Sequence, residues 1–317
     1  MANQLKILFL SKYFETVDRG AETYVKELSK RLQKNHFVTI FSGSDSENLA
    51  KITNGKFDIV IPTNGRWQAL KTGLGRLKGG YRMIISGQAG VGRDDYWNIL
   101  ICRPDVYVAI TDAEKDWAKQ WAFGVRIEKI SNGVDLEKFS PRGKQVNLEL
   151  KGPVILSVAA LEWYKHHELT IQAVSRLDKG SLVIIGGGSK QEKLAAMGQK
   201  LLGDRFKIMQ VSFEEIPNYY RSVDLFCLPS WNRESFGIVY LEAMASGLPV
   251  VAPNDLSRRE IVGGAGILVD VNSPDKYANA IKSALEKKWG YLPRKQAEKF
   301  SWDFVANEYE KLFKELM

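Results

Sequence analysis

Apolar residues along this chain gather in short unbroken runs separated by amphipathic stretches. In the first half the runs are Leu5–Leu10, Phe37–Phe41, Phe57–Ile61, Arg82–Ser86, Asp105–Thr111 and Arg126–Ser131. In the second half they are Val154–Ala159, Ser181–Ile185, Phe206–Gln210, Leu225–Pro229, Pro249–Ala252 and Gly266–Asp270. They do not alternate apolar with polar, so each predicts a parallel strand covered on both faces. Helices are predicted between most of them. Ala21, Tyr24, Val25, Leu28 and Leu32 mark one apolar stripe, and Leu169, Ala173, Val174 and Leu177 another, at the spacing of a helix face. Such alternation implies right-handed βαβ units. It occurs twice, with a break at Ser140–Gly152, where SPRGKQVNLELKG mixes turn formers and charge. The expected class is α/β, with two doubly wound, Rossmann-like parallel-sheet domains facing across a cleft and ligands at the carboxyl ends of the strands. The expected divisions are residues 1–145, residues 146–301 and a closing helix over 302–317.

One stretch supports two readings. Arg66–Arg82 (RWQALKTGLGRLKGGYR) sets Trp67, Leu70, Leu74, Leu77 and Tyr81 at helical spacing, with Arg66, Lys71, Arg76, Lys78 and Arg82 between them. The favoured reading is a covering helix whose stripe is buried against the sheet. The other is a helix lying on an anionic membrane surface. Gly73 and Gly75 weaken it as an isolated helix.

Composition narrows the class without deciding the function. At 317 residues, 44% hydrophobic and 26% charged, the chain suits a soluble protein of two compact domains. LKILFL near the N-terminus is too short for a signal core or a membrane span. Cys102 and Cys227 lie far apart with no metal-ligand spacing, so a reduced, cytoplasmic setting is expected. The net charge of +8 is uneven, with 23 basic against 16 acidic residues in 1–145 and 22 against 21 in 146–317. A basic first half favours an anionic partner such as a phospholipid surface or a lipid diphosphate, with location at the inner membrane face. Nucleic acid has only this charge in its favour and is not an expected partner.

The chemistry concentrates in Leu228–Val251 (LPSWNRESFGIVYLEAMASGLPVV). A strand ends near Pro229, a loop carries Glu234, a helix opens near Phe236 and Gly237, and Gly247 with Pro249 stops it. Glu242 follows Glu234 by eight positions, roughly 9 Å into the helix at 1.5 Å per residue. The N–H groups of Gly237, Ile238 and Val239 open the helix between the two carboxylates and suit phosphate oxygens. One nucleotide sugar could span them, with sugar hydroxyls on Glu234, diphosphate on the helix start and ribose hydroxyls on Glu242. EAMASG is otherwise small and apolar, and a lone buried carboxylate needs partners.

These residues resemble the donor-binding signature of the retaining GT-B glycosyltransferases, specifically the family 4 group. Arg19-Gly20-Ala21-Glu22 resembles that group's GGxE loop, Asn35–Val38 its second strand, Asn132–Asp135 its NGVD segment and Ser157–Lys165 (SVAALEWYK) its diphosphate-binding segment. Trp302 and the closing helix resemble the tail that crosses back to the N-terminal domain. The resemblance implies a metal-independent hexosyltransferase-like enzyme without a cofactor, the nucleotide-diphosphate sugar being substrate and a glycan or lipid-linked molecule the acceptor. Glu234 and Lys165 are the implied catalytic residues. Gly20, Lys165, Glu234, Ser235, Phe236, Gly237, Ile238, Val239 and Glu242 would bind the donor, and Val211–Glu215 would meet its base. Gln88, Arg93 and Asp94 are acceptor-side candidates.

Two positions depart from the family pattern. Ala160 stands where an Arg usually pairs with the diphosphate; Arg19, Arg233, Arg258 and Arg259 are candidate substitutes by type. Gln88 stands near a usual His, and an amide cannot accept a proton near neutral pH. A front-face displacement needs no separate base, because the leaving phosphate can take the acceptor's proton. The alternative function is a nucleotide-sugar-binding module with little or no turnover. A dinucleotide oxidoreductase is disfavoured because no GxGxxG follows Leu5–Leu10, and Asp94-Asp95 lacks the DxD spacing of metal-dependent sugar transferases.

Overall fold

The computed structural model describes residues 4–16, 20–63, 65–230 and 234–317. Each of the twelve apolar runs forms a strand. The first sheet contains β1 (Lys6–Leu10), β2 (Phe37–Phe41), β3 (Ile59–Pro62), β4 (Arg82–Ser86), β5 (Val106–Ala109) and β6 (Arg126–Lys129). The second contains β7 (Val154–Val158), β8 (Ser181–Ile185), β9 (Phe206–Met209), β10 (Leu225–Cys227), β11 (Val250–Pro253) and β12 (Gly266–Val269). Their orders are β2-β1-β3-β4-β5-β6 and β12-β11-β10-β7-β8-β9. Every pairing is parallel. Strand order reverses between β1 and β3 in one sheet and between β7 and β10 in the other, which makes each place a topological switch point.

The chain divides into one unit of residues 1–133 with 302–317 and another of residues 134–301. The division falls at 133/134, ahead of the turn-rich Ser140–Gly152 stretch within which the sequence suggests a boundary at 145/146. That stretch belongs to the second unit because its backbone is tied there. Arg221 Nε donates to the Lys144 carbonyl at 2.8 Å, Gln145 Nε2 to the Arg221 carbonyl at 2.8 Å, and Val146 N to Ser222 Oγ at 2.8 Å. Turn composition here marks a tethered segment.

The helix Trp302–Leu316 completes the first unit. Trp302 is buried and packs so closely on the backbone that a Cβ at Gly133 would lie 2.8 Å from its ring. Tyr309 and Tyr24 share a buried hydroxyl–hydroxyl bond of 2.8 Å, and Arg31 and His36 reach Asp303 and Glu310 at 3.1 Å. The stripe Tyr24, Val25, Leu28 and Leu32 of the helix Gly20–Leu32 is buried, as its spacing predicts.

The helix Gly65–Gly79 overturns part of the favoured reading of the Arg66–Arg82 stretch: Leu70 packs on the core and Tyr81 is buried, but the rest of the stripe is not. It buries Gln68, Ala69, Thr72 and Gly75, and turns Trp67, Leu74 and Leu77 outward at 70%, 60% and 93% exposure. Tyr81 is the cause. Its ring lies beneath the helix, its hydroxyl donates to the Thr72 carbonyl at 2.7 Å, and a Cβ at Gly75 or Gly79 would come within 2.5 Å of it. The small face therefore packs inward, and the large apolar residues are left outside with Lys71 and Lys78.

Candidate functional site

The second unit gathers most of the expected donor residues at its switch point, where β7 and β10 run side by side. Beyond β7 the chain passes the exposed Ala160 and a single turn, Trp163–Lys165, held by Lys165 N donating to the Glu162 carbonyl at 3.0 Å. Beyond β10, Glu234 precedes Gly237, which takes φ 85° and opens the helix Ile238–Ala245. A Cβ at Gly237 would lie 2.7 Å from the Tyr240 ring, so both the backbone angle and the space demand glycine. Tyr240 Oη donates to the Leu228 carbonyl at 2.7 Å and pins the strand end to the helix. In the helix's first turn Tyr240 N donates to the Gly237 carbonyl at 3.0 Å, and the N–H groups of Ile238 and Val239 precede the i→i−4 ladder.

Lys165 Nζ is bonded directly to Glu234 Oε2, and the two side chains are 17% and 13% exposed. Burial by itself would push the Glu234 carboxyl up, but the charges of Lys165 and then Arg258 outweigh it, and the group is held below the usual carboxylate value. An ionised, largely dry carboxylate is a strong acceptor for hydroxyl donors. Glu242 sits deeper, 4% exposed, and accepts from Tyr220 Oη at 3.1 Å. Burial raises it to about 7, against a smaller lowering by the Tyr220 hydroxyl and by Lys138. Lys138 Nζ lies 3.7 Å from the centre of the Phe213 ring, within Val211–Glu215.

Gly20, Gln88, Arg93 and Asp94 belong to the first unit. Gly20 is exposed at the start of its helix, and Arg93 is exposed in the helix Arg93–Trp97. Asp94 pairs with Arg66. The amide of Gln88 exchanges two bonds of 2.9 Å with the buried Asn132. Of the candidate substitutes for an arginine at Ala160, Arg19 and Arg233 lie outside the described residues. Arg259 is exposed and donates to Asn254 Oδ1 at 2.9 Å, whereas Arg258 is buried and directed to backbone carbonyls. Neither Tyr220 beneath Glu242 nor Asn132 beside Gln88 stands out in the sequence as a partner.

A second buried acidic group lies in the first unit. Glu114 accepts from Tyr107 Oη at 2.6 Å and from Ile110 N at 2.9 Å, and a Cβ at Gly87 would collide with its Oε1. Asp95 lies beside Tyr107 and is 1% exposed. Burial raises Asp95 from 3.8 to about 7 and Glu114 to about 8. Between about pH 4 and 7 the folded protein therefore keeps a proton at Asp95 that the unfolded chain has lost, and stability falls as pH rises through this window. For Asp95 the loss is on the order of 4 kcal/mol. In melting curves from pH 5 to 8, Asp95→Asn is expected to flatten the decline; an unchanged slope would count against this origin.

Comparison with known proteins agrees with this architecture. The family model described as "Glycosyl transferases group 1" matches residues 141–301, just over half of the chain. A D-inositol 3-phosphate glycosyltransferase of Corynebacterium jeikeium is 29% identical over 251 residues, 68% of this chain and 59% of the relative. A phosphatidyl-myo-inositol mannosyltransferase of Mycolicibacterium smegmatis is 29% identical over 218 residues, 65% of this chain and 56% of the relative. The chain thus matches less than two thirds of each relative's length. Anabaena HepE, solved with UDP and glucose, superposes with a TM-score of 0.80 at 18% identity, covering 98% of this chain and all of that one. A sucrose-phosphate synthase from Thermosynechococcus elongatus gives 0.82 at 19% identity, covering 99% of both. At these identities the likeness shows the GT-B fold.

Proposed function

Because the chain belongs to the group 1 glycosyl transferases, we propose that it transfers a sugar from a nucleotide-diphosphate donor to a hydroxyl of a glycan or lipid-linked acceptor, with retention and without a metal ion. The observation that carries this reading is the buried Lys165–Glu234 pair beside the start of the helix Ile238–Ala245, with Glu242 farther along it. Glu234 accepts from the hydroxyls of the transferred sugar. Lys165 shares its charge with the diphosphate and stabilises it as it leaves, the helix start supplies N–H donors to the same group, and Glu242 receives the ribose hydroxyls. The departing phosphate takes the acceptor's proton. Relatives named for inositol phosphate and phosphatidyl-inositol favour an anionic acceptor, consistent with the basic first half.

Incubation with labelled UDP-, GDP- and ADP-sugars tests the reading: transfer or donor hydrolysis is expected with one of them. Binding without turnover would support the alternative of a nucleotide-sugar-binding module, and binding of none would overturn both.

Association with an anionic membrane is the second part of the reading. Among the described residues no helix is long and apolar enough to cross a membrane. Trp67, Leu74 and Leu77 on the outer face of the helix Gly65–Gly79, with Lys71 and Lys78, suit insertion at a headgroup boundary. The protein is expected to sediment with phosphatidylglycerol vesicles and not with phosphatidylcholine ones. Trp67→Ser with Leu77→Ser should weaken binding about tenfold or more, from the lost apolar burial. Equal partitioning to both lipids would refute the docking.

A further inference from the structure

Arg258 is among the largest fully buried side chains of the second unit, 2% exposed, on the helix Leu256–Val262. That helix begins at Asp255, whose carboxylate accepts from Arg258 N at 2.9 Å and faces Arg258 Nε at 3.2 Å. The guanidinium then points away from its own helix. Nη1 donates to the Glu234 carbonyl at 2.8 Å and Nη2 to the Ser230 carbonyl at 3.2 Å. A buried cation needs such partners. Here they are two backbone oxygens, those of Ser230 and of Glu234 itself.

We propose that Arg258 is a positioning residue for the donor sugar: its fork holds the Glu234 and Ser230 carbonyls and so fixes the backbone from which the Glu234 carboxylate extends. The proposal rests on the reading of Glu234 as the sugar-hydroxyl acceptor. It assigns the two neighbouring cations different duties. Lys165 contacts the carboxylate itself and must share its charge with an arriving diphosphate. Arg258 contacts the backbone behind that carboxylate and its own helix-start Asp255, not the Glu234 carboxylate, and stays in place. Its positive charge also helps keep Glu234 ionised. The planar fork reaches the two carbonyls from two separate nitrogens, whereas an ammonium would have to reach both from one, so lysine should fail here while preserving the charge.

The test compares wild type, Arg258→Lys, Arg258→Met and Glu234→Ala in affinity for UDP against UDP-glucose and for GDP against GDP-mannose, with melting temperature and donor kcat/KM measured alongside. Arg258→Lys is expected to bind the nucleoside diphosphate within about twofold of wild type while losing about 30-fold in kcat/KM for the sugar nucleotide, the scale of a misplaced contact. In Arg258→Met the acid limb of kcat/KM should move toward neutrality, because Glu234 loses a nearby cation. Equal losses for nucleoside diphosphate and sugar nucleotide, or wild-type kinetics in Arg258→Lys, would overturn the proposal. Glu234→Ala separates the two ideas. If its losses too are equal for the sugar-bearing ligand and the bare one, the reading of Glu234 falls, and with it the proposal. If its loss is confined to the sugar-bearing ligand and that of Arg258→Lys is not, the proposal alone falls. A wild type that binds neither pair refutes the nucleotide-sugar site altogether.

Discussion

Replacing Glu234 with alanine is expected to reduce sugar transfer by about 10²- to 10³-fold, the scale of losing one preorganised contact to a transition state. The variant removes the acceptor for the sugar hydroxyls and also leaves Lys165 partly buried without its counter-charge. Lys165→Ala should cost a similar factor for a different reason. The diphosphate loses the cation that stabilises its departure, and Glu234 loses the stronger of the two charges holding it ionised. Since Glu234 acts as a carboxylate, raising its pKa moves the pH at which activity fails upward. Lys165→Ala should therefore show an acid limb displaced toward neutral pH as well as a lower plateau. The two residues meet directly, so their losses should not add; the double variant should be little worse than either single one. Purified variants assayed for kcat across pH decide this. Glu234→Ala retaining transfer within threefold of wild type would remove the pair from the mechanism.

Glu242 supports the second large effect, on donor affinity. A carboxylate receiving both ribose hydroxyls contributes about 1.5–3 kcal/mol per bond, so Glu242→Gln should weaken donor binding about 10- to 100-fold. The free group titrates near 7 because it is buried. Only its ionised form accepts from two hydroxyls, so donor affinity should rise as pH increases from 6 to 8, and the glutamine variant should lose this slope. Calorimetric titration at several pH values measures both. A wild type whose donor affinity is flat with pH, or a Glu242→Gln protein that keeps the slope, would separate Glu242 from the ribose.

The strand content was legible because parallel strands buried on both faces leave unbroken apolar runs, and all twelve form at or within two residues of the expected bounds. The E-x7-E spacing also located Glu234 and Glu242 correctly around a helix start, since a glycine with a positive φ and a following apolar run are local signals. What stayed hidden was set by contacts between distant segments. The helix Gly65–Gly79 turns Trp67, Leu74 and Leu77 outward, against its apolar spacing, because Tyr81 fits only beneath glycines. Arg258 was one of four arginines interchangeable by type, and only the fold shows its fork on the Glu234 loop. Asp95 and Glu114 look like ordinary helix-start acids in sequence; their burial depends on Tyr107 and Gly87 from two other strands' ends.

The placement of Trp302–Leu316 has a consequence for how the protein is made. The second unit is contiguous and can fold as it leaves the ribosome, but the first unit needs a helix translated after residues 134–301. Tyr24 and Trp302, which pack together in the finished molecule, are therefore kept apart during synthesis until the second unit has been made. In that interval the apolar face of the helix Gly20–Leu32 waits uncovered, so nascent chains stalled before residue 302 should be the ones that engage chaperones.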